Sequence, residues 1–386
     1  MQDISGVSTS RFSGNSGGTE HFIAITPPSD ASLEDQIAFV DKSYRETVGS
    51  LGLSPDTAIF RRLFLSDVMN QAPLIVDTSL ASDSDEGPVA VSIIQQQPLP
   101  GSKISLLAYH LESEKPVTKK RLSKKHIVIE KNGLRHLWST RLCASDDNGS
   151  YCAEDQTRQV FDDLIGTLEG EGGTLRKDCV RTWIYVKDVD VFYQPMVDSR
   201  RELFARQGMN GDSHYIASTG IEGACAHRHD LVAMDAYSIL GLKPNQVSYL
   251  NDFDRLNLTR EYNVTFERGT RVAYADRSHY YISGTASIDR NGDVVHKGDV
   301  MRQLNRALDN VDALLLSGDA SLDDMKYLIV YLRDPTDYPS VKKYLDYHLP
   351  ELPVFIVEGA VCRPEWLVEV EGIAVAPNED PALHAF

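Results

Sequence analysis

Apolar positions in the C-terminal third of the chain switch between two periods. Over 271–288 they alternate with polar residues and include the run Tyr281-Ile282-Ser283-Gly284-Thr285-Ala286, which predicts a strand or hairpin. Over 299–316, Met301, Leu304, Leu308, Val311 and Leu315 recur at helical spacing, with Asp299 as N-cap and Gly318 as stop. The nearly unbroken apolar run 327–332 predicts a strand covered on both faces and ended by Arg333-Asp334-Pro335. A second helix over 338–347 and strands over 354–358 and 366–375 complete the pattern.

The same order recurs upstream, as in a chain built of repeats. The middle stretch has a strand at 137–140, a helix over 156–168 and Gly172-Gly173. A strand over 180–186 follows, ending in Lys187-Asp188, then a helix over 196–204 that leads to 214–220. The first stretch has a helix over 33–51 and a strand over 58–65 ending in Ser66-Asp67. A polar, flexible-looking region, 79–125, interrupts it, with strands only at 89–94 and 103–109. Residues 1–20, rich in Gly and Ser, read as a flexible tail. The expected organisation is this tail, then units over 21–133, 134–250 and 251–386. Helix, glycine, strand and aspartate in that order are also general α/β grammar.

Composition narrows the function. A net charge of −17 argues against a nucleic-acid partner, which needs a basic surface, but leaves room for a local arginine pocket. Five cysteines with no CxxC spacing signal neither a disulfide framework nor zinc, and reduced thiols in a cytoplasm fit them. The histidines of 227–230 and 276–279 lack ligand spacing, there is no H-E-x-x-H, and no metal is expected. Neither a G-x-G-x-x-G nor a P-loop occurs, so no nucleotide or other cofactor is expected. No apolar leader or membrane-length apolar run is seen, so no membrane partner is expected.

Three segments resemble the RidA (YjgF-like) family: Ile282-Ser283-Gly284-Thr285, the strand end Tyr331-Leu332-Arg333-Asp334, and Val368-Glu369-Val370-Glu371-Gly372-Ile373-Ala374. The resemblance implies an α/β (α+β) fold of mixed β-sheets with helices packed on one face. Here it would be repeated as degenerate units in one chain, a monomeric pseudo-trimer with its site between units. Imine deaminases of that family carry an arginine where this chain has Val354, after Pro353, which argues against imine or enamine deamination.

A wider resemblance is to the chorismatases, the chorismate-cleaving branch of the superfamily. It rests on Pro100-Gly101-Ser102-Lys103 and on Arg181-Thr182-Trp183-Ile184-Tyr185-Val186 continuing through Tyr193, Met196-Val197 and Arg200-Arg201. His214-Tyr215-Ile216-Ala217-Ser218-Thr219-Gly220-Ile221, Phe266-Glu267-Arg268-Gly269 and Val361-Cys362-Arg363-Pro364 complete it. It implies cleavage of the enolpyruvyl ether of chorismate with release of pyruvate. Gly269 and Cys362 resemble the 3-hydroxybenzoate-forming members. Hydrolysis to a dihydroxycyclohexadienoate, or a mixture with 4-hydroxybenzoate, is the alternative outcome.

That chemistry needs an acid able to protonate carbon near neutral pH. Glu369 and Glu371 share one strand face, so their mutual repulsion can hold a proton on one of them, although a solvated strand face has the same pattern. Glu369 is the expected catalytic acid, and Cys362 a water-poor wall of the site. Arginine forks suit the two carboxylates of chorismate, with Arg181, Arg268, Arg271, Arg333 and Arg363 as candidates. Tyr215, Thr219, Gly220, Gly269 and Gly284 complete the expected binding set.

Overall fold

The computed structural model describes residues 6–15, 18–76, 78–81, 87–115, 117–144, 152–225, 227–256 and 265–386. Its strands form three mixed sheets. The first contains β1 (Val7–Ser13), β2 (Thr19–Ile25), β3 (Ala58–Leu65), β4 (Ala90–Gln95) and β5 (Ile104–Glu112), in the order β1-β2-β5-β3-β4. The middle sheet contains β6 (Thr118–Arg121), β7 (His126–Lys131), β8 (Leu134–Cys143), β9 (Cys179–Val186), β10 (Ala217–Glu222) and β11 (Val232–Leu240). Its order is β10-β9-β11-β8-β7-β6. The third contains β12 (Val247–Tyr249), β13 (Gly269–Ala273), β14 (Arg277–Ala286), β15 (Met325–Leu332), β16 (Val354–Glu358) and β17 (Val368–Pro377), ordered β12-β13-β14-β17-β15-β16.

Each sheet repeats one plan. A parallel pair (β3 with β4, β9 with β10, β15 with β16) lies beside the unit's last strand, which runs antiparallel. Helices cover one face. In the first unit α1 (Leu33–Ser50) and α2 (Val68–Ile75) bury Val40, Tyr44, Val68 and Ile75. In the middle unit α3 (Ala153–Gly170), the short α4 (Leu175–Asp178) and α5 (Val189–Arg206) surround Phe161, Leu164 and Phe204. In the third unit α6 (Val300–Leu316) buries Leu304, Leu308 and Val311, capped by Asp299 as its spacing requires, and α7 (Tyr338–His348) adds Val341 and Leu345.

The opposite faces of the three sheets meet in one aromatic core. Phe60 stacks on Trp138 at 4.7 Å, and Tyr237 lies 4.4 Å from Trp138 and 5.6 Å from Tyr281. Around this core the units are sewn by three analogous backbone bonds: Gln95 N–H to Ala224 O (2.8 Å), Glu222 N–H to Ala360 O (3.1 Å) and Glu358 N–H to Gln97 O (2.9 Å). The repetition of one unit around a common core is the expected fold.

Several details differ from the expectation. Residues 7–13 are strand β1, because alternating Val7, Thr9 and Arg11 pair in register with β2; of the expected tail, residues 1–5, 16 and 17 lie outside the described residues. The boundary at 133 also moves. β6 and β7 pair onto β8 and so belong to the middle sheet, and β12 joins the third. Helix α5 begins at Val189, well before the expected 196, and carries Pro195 inside it.

Candidate active site

The last strand, β17, places Glu369 and Glu371 on one face, as alternation requires. Both are buried, which excludes a solvated strand face. Their surroundings differ completely. Glu371 pairs with the Arg181 guanidinium, accepts from the Thr219 hydroxyl and accepts from the Tyr331 hydroxyl at 2.8 Å. Glu369 makes no hydrogen bond to any described residue. Burial, and then the charge of Glu371, push its carboxyl up to about 8, against the smaller opposing pull of Arg181 and Arg268.

The neighbouring strand bends to make room. The β14–β17 register slips between Ile282 and Thr285, so Ser283 and Gly284 form a bulge beside the carboxyl. A Cβ at Gly284 would lie 2.8 Å from Glu369 Cδ and 3.0 Å from Thr219 Cγ2, so any larger residue must push the Glu369 carboxyl aside. The bulge is tied across the unit boundary: Gly284 N–H donates to Thr219 Oγ1 (2.9 Å), and Ser218 N–H donates to Ser283 Oγ (2.8 Å).

The result is a cavity of about 170 Å³ between the middle and third units. Glu369, Gly284 and the Cys362-Arg363 loop come from the third unit; Thr219, Gly220, Tyr193 and Arg200 come from the middle one. Arg200 is 1 % exposed and has no carboxylate beside it among the described residues. Its Nε donates to Thr265 Oγ1 at 3.2 Å and its Nη1 to Ser218 Oγ at 3.5 Å, while its Nη2 has no hydrogen-bond partner. Arg268 lines the same cavity over the Phe266 ring, and Arg363 lies over Trp366 at 4.7 Å while donating to Gly292 O at 2.9 Å. The Cys362 thiol faces the Tyr193 hydroxyl, and burial followed by the charge of Glu369 pushes it up to about 12. A thiol raised that far stays protonated near neutral pH.

Of the residues singled out in the sequence, Glu369, Cys362, Thr219, Gly220, Gly284, Arg268 and Arg363 converge on this cavity. Five do not. Arg271, on β13, donates to Ser278 Oγ at 3.2 Å and lies over the Tyr280 ring. Arg181 lies behind the cavity, consumed by Glu371, Thr219 and the Thr182 carbonyl. Arg333 forms a bidentate pair with Asp190 at 2.8 and 2.9 Å at a different cleft and holds the Val361 carbonyl. Gly269 is a packing position, where a Cβ would meet Leu250 Cδ1 at 2.9 Å. Tyr215 stacks near Phe204, centroids 6.1 Å apart. Sequence reasoning passed over Arg200 and Tyr193 as site residues. Their seven-residue separation puts them on one face of α5, which was the available signal.

Counting three residues back from the aspartate that follows each central strand gives Phe64, Tyr185 and Tyr331. Their partners in the last strands are Ser105, Ala233 and Glu369. Only one of the three equivalent interfaces therefore carries a carboxyl at this place.

The family described as Endoribonuclease L-PSP matches residues 270–376. The 3-aminoacrylate deaminase RutC of Acinetobacter baylyi is 33% identical over 96 residues, 24% of this chain and 76% of its own. The crystal structure of a chorismatase superposes with a TM-score of 0.65 at 17% identity, over 93% of this chain and 99% of its own. RidA from Psychrobacter sp. PAMC 21119 aligns over 33% of this chain and 99% of its own, at 19% identity and a TM-score of 0.29.

Proposed function

The chain belongs to the Endoribonuclease L-PSP (RidA-like) family, and from that premise and the chemistry of its cavity we propose that it cleaves the enolpyruvyl ether of chorismate, releasing pyruvate. One observation carries the reading: a buried carboxyl held protonated at neutral pH shares a cavity with a buried guanidinium that has no carboxylate partner among the described residues. A vinyl ether needs the first and an anionic substrate needs the second.

In this reading Arg200, with Arg268 beside it, grips the substrate's carboxylates and sets the vinyl methylene against Glu369. The Glu369 proton goes to that carbon, the ether becomes an oxocarbenium ion, and the new carboxylate stays opposite the cation. The neighbouring ring hydroxyl then attacks the ring carbon that bears the ether oxygen, the C–O pair leaves as the pyruvate carbonyl, and the hydroxyl proton returns to the Glu369 carboxylate. Opening of the resulting epoxide with loss of a ring proton gives the aromatic phenol. Formation of 3-hydroxybenzoate splits chorismate without a net water, whereas the dihydroxycyclohexadienoate requires one. The neutral, half-buried Cys362 beside Glu369 favours the water-free outcome, so 3-hydroxybenzoate is the proposed product.

Imine deamination fits less well. The position of Val354 in β16 corresponds to Ser218 in β10, each paired six residues before its strand-ending aspartate. Ser218 therefore lines the Glu369 cavity from the neighbouring unit, and it carries no guanidinium. Arg200 reaches the same spot from α5.

The test is incubation with chorismate in D2O, with pyruvate trapped as lactate and the ring product resolved by chromatography. Lactate carrying one solvent deuterium in its methyl group, with 3-hydroxybenzoate beside it, is the expected result. No pyruvate from chorismate, together with turnover of an enamine, overturns the reading.

A further inference from the structure

We infer that the interface between the first and middle units carries a transition-metal site, made by Cys143, His227 and Asp230, at the place where the neighbouring interface carries its cavity. This goes beyond the proposed reaction and does not depend on it.

The two places correspond residue by residue. Ala286 at the end of β14 pairs with Glu369, and Cys143 at the end of β8 pairs with Ala233. The loops before the last strands begin alike, Glu222-Gly223-Ala224 and Glu358-Gly359-Ala360, and reach Val232 and Val368 in the same number of residues. His227 therefore stands where Arg363 does, and Asp230 where Trp366 does. Behind both places lies the same kind of buried lock. Arg62, Ser92 and Tyr185 hold Asp235 at 3.2, 2.5 and 3.0 Å, as Arg181, Thr219 and Tyr331 hold Glu371. The frame is kept, the acid is replaced by Ala233, and the mouth is rebuilt from three ligand-type side chains.

Their geometry is convergent. Cys143 Sγ lies 3.8 Å from His227 Nδ1, and the same Nδ1 lies 3.7 Å from Asp230 Oδ2; all three ligand atoms fall within 4.8 Å of one another. A proton relay would use both ring nitrogens, one toward the thiol and one toward the carboxylate. Here one nitrogen faces both, as it does around a shared ion. Tetrahedral bonds of about 2.0–2.3 Å to N, O and S put ligand atoms roughly 3.3–3.6 Å apart, close to the two separations from His227 Nδ1. Asp230 is buried and oriented by the His227 backbone N–H at 3.3 Å, whereas the His227 side chain is 46 % exposed. Thiolate, imidazole and carboxylate together suit Zn²⁺ or Co²⁺ over Mg²⁺ or Ca²⁺. Binding exchanges the Cys143 thiol proton for the metal, so affinity rises with pH. The ion would clip the loop after β10 to the end of β8.

Cobalt(II) is the probe, titrated into the full-length protein under reducing-agent-free, anaerobic conditions. We expect one equivalent per chain with a thiolate-to-cobalt charge-transfer band, displaced by zinc. Cys143→Ser should abolish that band, and His227→Ala, at an exposed side chain that cannot disturb the core, should weaken binding by at least about tenfold. Cys152→Ser should leave both unchanged. Wild-type protein without a thiolate band at excess cobalt, or a band that survives Cys143→Ser, overturns the inference.

Discussion

At the scale of single residues, the cavity turns on how differently two glutamates two positions apart are treated. Glu371 has a cation and two hydroxyls, whereas Glu369 has burial and a neighbouring negative charge. Glu369 is therefore an acid at pH 7, and its use as one sets the pH profile. Turnover should hold below about 8 and fall about tenfold per unit above it, as the proton is lost. A rate that rises through the same range would assign Glu369 the role of a base. Glu369→Gln should lower kcat by about 100-fold or more, because an amide cannot donate to carbon. The same substitution should stabilise the fold. A carboxyl whose folded value is raised is comfortable below its unfolded value of 4.5 and costs stability as pH rises toward 8. The Gln variant is thus expected to melt higher at pH 7, by up to about 3 kcal/mol of stability, and to match the parent near pH 4. Equal melting at both pH values would sink the pKa assignment. Alternation placed both glutamates on one face in the sequence itself. It carried no information on depth, and depth is what separates an acid from a solvated pair.

At the scale of elements, a bulge and a helix face deliver the site. The slip at Ser283-Gly284 opens β14 just where the Glu369 carboxyl needs space, and α5 brings Tyr193 and Arg200 in from the other unit. Gly284→Ala should leave the protein folded and cut kcat/KM at least about tenfold, since a methyl would displace the carboxyl by an amount that matters for positioning. Normal kcat/KM in that variant would remove the bulge from the mechanism. Arg200→Ala should raise KM for chorismate by about 30-fold or more, and Arg200→Lys should recover part of this, because charge returns without the fork. The Cys362 loop is expected to govern partition. Cys362→Ala should increase the water-derived product relative to 3-hydroxybenzoate, which chromatography of the ring products measures. The helix carrying Arg200 was legible from its spacing, but its useful face was not. Arg181 and Arg333 looked better placed because they flank apolar strands, and both turned out to be held by carboxylates distant in sequence, Glu371 and Asp190.

At the scale of the whole molecule, three units give three interfaces, each locked by a buried ion pair. Arg62–Asp235 joins the first and middle units, Arg181–Glu371 the middle and third, and Arg277–Glu20 the third and first. Burial works against the charge on Glu20, but His279 and Arg277 outweigh it and hold its carboxyl down at about 2. The stability this contributes is complete above the unfolded value of 4.5 and is lost as pH falls toward 2. Glu20→Gln should destabilise the chain by about 3–5 kcal/mol at pH 7, leaving Arg277 buried with Asp276 alone, as denaturant unfolding would show. The placing of one carboxyl among three equivalent positions predicts one substrate site per chain. The chain closes its own ring of units, so light scattering should give the mass of a single chain. Two sites per chain in a titration with a non-cleavable chorismate analogue would contradict this.

The order of strands and helices in the third unit, the repetition of one unit and the shared face of Glu369 and Glu371 were determined by the sequence, because local periodicity and strand-ending residues specify them. Strands β1, β2, β6, β7, β11 and β12 and helix α2 escaped; β1 did so because its polar alternation resembles a tail until β2 lies beside it. Which arginine is spoken for and which is open, how deeply Glu369 sits, and where Cys143 meets His227 were decided only by the tertiary structure. Each depends on groups brought together from units far apart in the chain, in a low-dielectric interior where partnership sets the charge a residue can carry.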